Sequence, residues 1–346
     1  MSAESAGKGR LHFIQALRIG ALSIAILGIV FIANNILIFW FGWPGPNTLF
    51  AHLGWFGLET LSKPLAGGAV AFGWVQVALY ILPVTVIAYF VVNSAAPSLE
   101  ADSERMTALA AYIIRAAFWA VLFIGVTDAA ISFLRVENLL TGVVGAELAK
   151  DLGRSVFRGS YVHYPLILVA MVVAIFARSL GFTWLALLIV IAELLIVILR
   201  FIYSYEQTFL GDLVRFWYAG LFLFASAYTL IQEGHVRVDI LFTSFSVRGK
   251  AWSNVIGTML FGIPVCWIIL TRGLWTKTSS INAPLLSFEV TQSGFGMYVK
   301  YLMAGFLLVY ALSMLIQFCG YFLGNAGVLL KDGDAPAAGP SGQHSQ

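Results

Sequence analysis

Residues 184–202 read WLALLIVIAELLIVILRFI, from Trp184 to Ile202, and carry only Glu193 and Arg200 as charges. As a helix rising 1.5 Å per residue the run is about 28 Å long. That length matches the hydrocarbon core of a bilayer, about 30 Å. The stretch therefore predicts a membrane-spanning helix. Seven further runs of the same kind lie on either side of it. Upstream they are Ile19 to Phe41, Ala69 to Val92, Ala108 to Phe133 and Val162 to Ala177. Downstream they are Val214 to Ile231, Val255 to Leu274 and Met297 to Phe322. The fold class is an all-α polytopic membrane protein with about eight transmembrane helices.

Composition agrees. The 346 residues are 60% hydrophobic and 11% charged, with a mean hydropathy of +0.88. A soluble domain carries about a quarter charged residues and cannot bury so much apolar surface. The net charge of +3 is small and says little about nucleic acid; no nucleic-acid partner is expected for a chain read as a membrane protein. Cys266 and Cys319 lie inside apolar runs without CxxC spacing and read as small buried hydrophobes. Lys8 and Arg10 precede the first run as in a signal peptide, but the run is too long, and we read it as a retained span.

Eight spans place both termini on one side. Lys8, Arg10 and Arg18 predict that this side is cytoplasmic, and Arg237, Arg248 and Lys250 after the sixth span agree. The connector holding Arg135, Lys150, Arg154 and Arg158 runs against the rule, because it would face outward. The chain divides into residues 1–181 with four spans, residues 182–323 with four more, and a small polar tail, 324–346, expected to be disordered and cytoplasmic.

Charges inside spans need protein or water beside them. If the third and fifth spans run the same way, Arg115 lies level with Glu193, and Asp128 with Arg200. These spacings suggest two ion pairs joining the two helices; the other reading is that each charge snorkels to its own interface or bonds a neighbouring helix. A proton or ion path would need acids or histidines stacked through one bundle; here each acid has a base at its own level. The alternative is a self-sufficient secondary transporter or channel built on the same four charges. None of the histidines lies well inside a span: His12 and His344 are terminal, His52 and His235 are in loops, and His163 caps the fourth span. A haem-b anchor needs axial histidines within the bundle. No catalytic, metal or cofactor motif stands in a believable setting, so no enzyme activity and no cofactor are expected.

The loop after the sixth span, EGHVRVD, holds Glu233, His235, Arg237 and Asp239. On its residues alone it reads as a solvated loop or a docking surface. Together with what precedes it, the pattern resembles the small membrane subunit of TRAP transporters, the DctQ-like family. The matching features are Arg200-Phe201, then Asp212 with Arg215 three positions on, then Ala225 and Ser226, then His235-x-Arg237-Val238-Asp239, and finally Tyr298, Lys300 and Gly305. Asp212 stands where Glu is more usual, and Ala304 where a proline often precedes the glycine. The resemblance spans Phe182 to Phe322 and leaves the first four spans as an extension that widens the scaffold, binds lipid or contacts another protein.

The resemblance implies an inner-membrane, multi-pass subunit that scaffolds a large DctM-like permease. That permease takes up an organic acid with sodium, after capture by a periplasmic binding protein. Membrane lipid would surround the subunit. It also implies that Arg200, Asp212 and Arg215 tie the fifth and sixth helices near the periplasmic face. His235, Arg237 and Asp239 would shape the cytoplasmic loop, and Lys300 would begin the last helix at a structural or subunit contact.

Overall fold

The computed structural model describes residues 3–94, 98–177, 182–231, 242, 244–291 and 296–331. Eight helices are long and apolar enough to cross a membrane. They are α1 (Lys8–Phe39), α2 (Gly67–Val92), α3 (Leu99–Val136), α4 (Ser155–Phe176), α5 (Thr183–Ile202), α6 (Phe209–Ser226), α7 (Val247–Leu274) and α8 (Lys300–Lys331). No strand occurs among the described residues.

Several helices outrun their apolar cores. The helix over Leu99–Val136 starts where Ser98 accepts a hydrogen bond from the Ala101 amide at 3.1 Å. A side-chain oxygen at that position satisfies an N–H with no partner inside the helix. The polar residues 99–107, ahead of the apolar run from Ala108, are thus its first turns. The last helix runs to Lys331, so residues 324–331 belong to it and not to a tail; residues 332–346 lie outside the described residues. The connector between α3 and α4 is also structured, with short helices at Leu140–Val144 and Ala146–Leu152.

Two helices contain a π turn, Gly159–His163 in α4 and Thr258–Gly262 in α7. Each sits just before a proline, Pro165 or Pro264. Proline has no N–H to give and crowds the preceding turn. A wider turn accommodates it.

α3 and α8 form the centre. α8 packs on α3, α6, α7 and α1, while α3 also holds α4 and α6. α2 leans on α1, and α5 leans on α6 with only slight contact to α3. The main apolar core joins Ile114, Phe118 and Val121 of α3 to Phe216 and Phe224 of α6 and Leu315 of α8. A second core joins Ala21, Ala25 and Ala110 to Val255, Ile316 and Cys319. Both cores draw on the first four spans and the last four together. Gly125 lets α6 approach α3 closely: a Cβ there would lie 2.2 Å from Trp217 Nε1.

Candidate functional site

The most concentrated polar chemistry lies at the connector end of α3, α4 and α8. Asp128, Ser132, Arg158 and His163 are all fully buried. Arg158 Nη1 donates to Asp128 Oδ1 at 2.8 Å and to Ser132 Oγ at 3.2 Å. Its Nε and Nη2 both donate to the Leu152 carbonyl, at 3.1 and 2.8 Å. His163 Nε2 lies 3.1 Å from Asp128 Oδ1, and Nδ1 lies 2.8 Å from the Tyr301 hydroxyl. A neutral imidazole satisfies both contacts when Nε2–H donates to the carboxylate and Nδ1 accepts from the phenol. The second carboxylate oxygen of Asp128 accepts the Tyr298 amide at 2.9 Å.

Tyr298 closes the group. The guanidinium carbons of Arg158 and Arg135 lie 4.2 and 4.7 Å from its ring centroid. Its hydroxyl donates to the Gly153 carbonyl at 3.0 Å and also meets Arg135. Arg135 Nη2 donates to the Gly296 carbonyl at 3.0 Å. The charges therefore compensate one another in place, as buried ions must. The arrangement fixes three elements to one another: α3 through Asp128, α4 through Arg158 and His163, and the start of α8 through Tyr298 and Tyr301. Beside it, Glu137 accepts from Tyr205 and, at 3.0 Å, from Gln207 Nε2. That hydrogen bond to the Glu137 carboxylate pushes the Tyr205 phenol above its usual pKa.

A second buried pair lies at the opposite end. Arg18 Nε of α1 donates to Asp102 Oδ2 of α3 at 2.6 Å, and Arg18 Nη1 donates to Ser94 Oγ at 2.9 Å. Ser103 donates to the Gly320 carbonyl of α8 at 2.7 Å.

The expected pairs between the third and fifth spans do not form. Asp128 pairs with Arg158 and His163 instead of Arg200. Arg115 Nε turns to the Ala174 carbonyl at 3.4 Å instead of Glu193. The reason is packing: α4 covers α3 along its length, whereas α5 scarcely touches it. The carbonyls in the last turn of α4 have no helical partner and attract a cation. Glu193 lies at mid-span on an exposed face of α5, with no hydrogen bond or ion pair among the described residues.

Arg200, Asp212 and Arg215 line one cleft of about 280 Å³, together with Glu206 and Gln207. Arg215 lies 3.8 Å from Asp212 on the same helix. Asp212 Oδ2 accepts from the Met297 amide at 3.1 Å and so ties α6 to the segment before α8. Lys300 pairs with Glu289 at 2.5 Å. Glu233, His235, Arg237 and Asp239 lie outside the described residues.

Reading the sequence placed His163 at a cap and Arg158 in a wet connector. Both are buried at the heart of the site. One signal existed: an aspartate near the end of an apolar span demands a cation at its own depth, and Arg158 enters the next span at that depth.

Residues 186–324 match the family model described as "Tripartite ATP-independent periplasmic transporters, DctQ component". No curated protein and no solved structure matches the chain.

Proposed function

Starting from the DctQ domain that residues 186–324 form, the small permease component of a tripartite transporter, we propose that this chain is a lateral scaffold. On this reading it supports a large permease subunit that moves an organic acid with sodium, supplied by a periplasmic binding protein. The chain itself carries no solute.

The observation that carries the reading is the disposition of charge. Asp128 and Asp102 are buried, and each is bonded to an arginine of its own chain. Charges paired in this way are satisfied within the protein and offer no free binding group to a solute. Glu193 is the contrast, an exposed carboxylate in the middle of a span. A charge facing lipid is costly, so such residues face protein or water. α5 has an otherwise apolar outer face, including Leu187, Val190 and Leu194. We assign that face to the large subunit, with a donor group meeting Glu193.

The same pairing supports an orientation with both termini cytoplasmic. The connector that offends the positive-inside rule carries Arg135, Lys150, Arg154 and Arg158. Arg158 is buried, Arg135 is bonded to Tyr298 and Gly296, and Arg154 is paired with Asp151. Arg158 and Arg135 are thus held by the fold, which leaves Lys150 and Arg154 as the connector charges that run against the rule.

Co-purification of the large subunit tests the reading. Tagged wild-type chain should retain it. Glu193→Lys should lose at least tenfold of the retained partner, while Leu168→Ala on α4 should lose none. Full retention by Glu193→Lys would refute the α5 contact, and no partner with wild-type chain would refute the scaffold.

A further inference from the structure

A groove of about 590 Å³ opens between α1, α3, α4 and α8. Its volume falls within the range of ligand sites, about 300–1,000 Å³. The floor is Val121, Ile124, Phe216 and Phe224, none more than 2% exposed. The mouth is formed by Ile36, Trp40 and Met171, each 41–44% exposed on the outer faces of α1 and α4. The groove is thus continuous with the surface these two helices present to the bilayer.

Its depth is that of one leaflet. On α8 the lining runs from Leu302 to Leu312, about 15 Å of helix. Half of a hydrocarbon core of about 30 Å is the same length. One end is marked by aromatic rings: Trp40 and Tyr164 meet edge-on at 5.8 Å, and Phe288 lies 6.2 Å from Trp40 and 5.8 Å from Tyr164. Tryptophan and tyrosine favour the headgroup level. The other end points toward mid-membrane.

The polar groups on the wall are nearly all satisfied within the protein. Asn282 donates to Asn35 at 3.0 Å and to the Leu274 carbonyl at 2.7 Å. Tyr112 donates to the Met171 carbonyl at 3.0 Å. Tyr164 is the exception: its hydroxyl is buried and has no hydrogen-bond partner. A buried donor left unpaired is costly. The groove therefore asks for a long apolar body that enters at the aromatic end.

We propose that the groove holds one acyl chain of a diacyl phospholipid, with its ester end among the rings of Trp40, Tyr164 and Phe288. An acyl chain has the length of the groove, enters from the bilayer it already faces, and carries its first acceptor at headgroup level. The lipid fills space between the first four spans and the last four, and so acts as part of the scaffold.

Native mass spectrometry of the full chain tests this, after delipidation in detergent and incubation with palmitoyl-oleoyl phosphatidylethanolamine. Wild-type chain should retain one phospholipid. Gly305→Leu and Ala120→Leu, which fill the groove, should abolish retention. Gly305→Ala adds one methyl to the groove wall and meets only Leu285 at 3.5 Å; it should weaken retention about three- to fourfold in a folded chain, which keeps the test decisive even if the larger variants misfold. Equal retention by Gly305→Ala, retention by folded groove-filled variants, or no lipid on wild-type chain would overturn the proposal. So would an isoprenoid quinone or detergent found as the occupant.

Discussion

Asp128 accepts from three neighbours, Arg158, His163 and the Tyr298 amide, with no exposure to solvent. Such a group is worth little as a pair compared with an apolar replacement, but much if broken on one side. Arg158→Leu leaves the carboxylate buried without its counter-charge and should cost about 3–5 kcal/mol. Arg158→Leu combined with Asp128→Leu removes both charges and should cost less than Arg158→Leu alone. Chemical unfolding of the purified chain in detergent measures both. A double variant less stable than the single would show that the pair is not the source of the cost. The sequence revealed Asp128 as a buried charge in need of a cation, yet not which cation. Depth along a span narrows the partner, but the choice between Arg158 and Arg200 depends on which helix lies beside α3, and spacing within one helix carries no such information.

At the scale of elements, the spans were legible because length and apolarity decide them, while their ends were not. Leu99 and Lys331 end helices well outside the apolar runs, since polar residues continue a helix into water at little cost. The π turn at Gly159–His163 could not be read from the sequence either. It depends on Pro165 together with tertiary contact: a Cβ on Gly159 would fall 2.3 Å from the Phe288 ring and 2.9 Å from the Tyr301 hydroxyl. Alanine is normally the better helix former by about 1 kcal/mol. At this site crowding wins, and Gly159→Ala should destabilise by about 1–3 kcal/mol. Gly257→Ala, with no atom within 4 Å of the added Cβ, should be neutral or slightly stabilising. Thermal unfolding of the two variants side by side checks the sign. An unaffected Gly159→Ala chain would mean that the π turn is not tightly packed.

Across the whole molecule, α3, from the first four spans, stands between α6 and α8 of the matched residues 186–324 and α4 beyond it. The family matched by residues 186–324 was legible in the sequence, where the resemblance runs from Phe182 to Phe322. The union of the two parts was not, since their shared core is made of Ile114, Phe118, Phe216 and Leu315, which any membrane helix carries. What results is a body whose buried charges are consumed internally, leaving a lateral face on α5. On the proposed reading, this body supports transport without performing it. Uptake of labelled organic acid into sodium-energised liposomes tests it, comparing this chain alone with this chain plus the large subunit and binding protein. No uptake above empty vesicles is expected for the chain alone and robust uptake for the assembly; uptake by the chain alone would refute the scaffold.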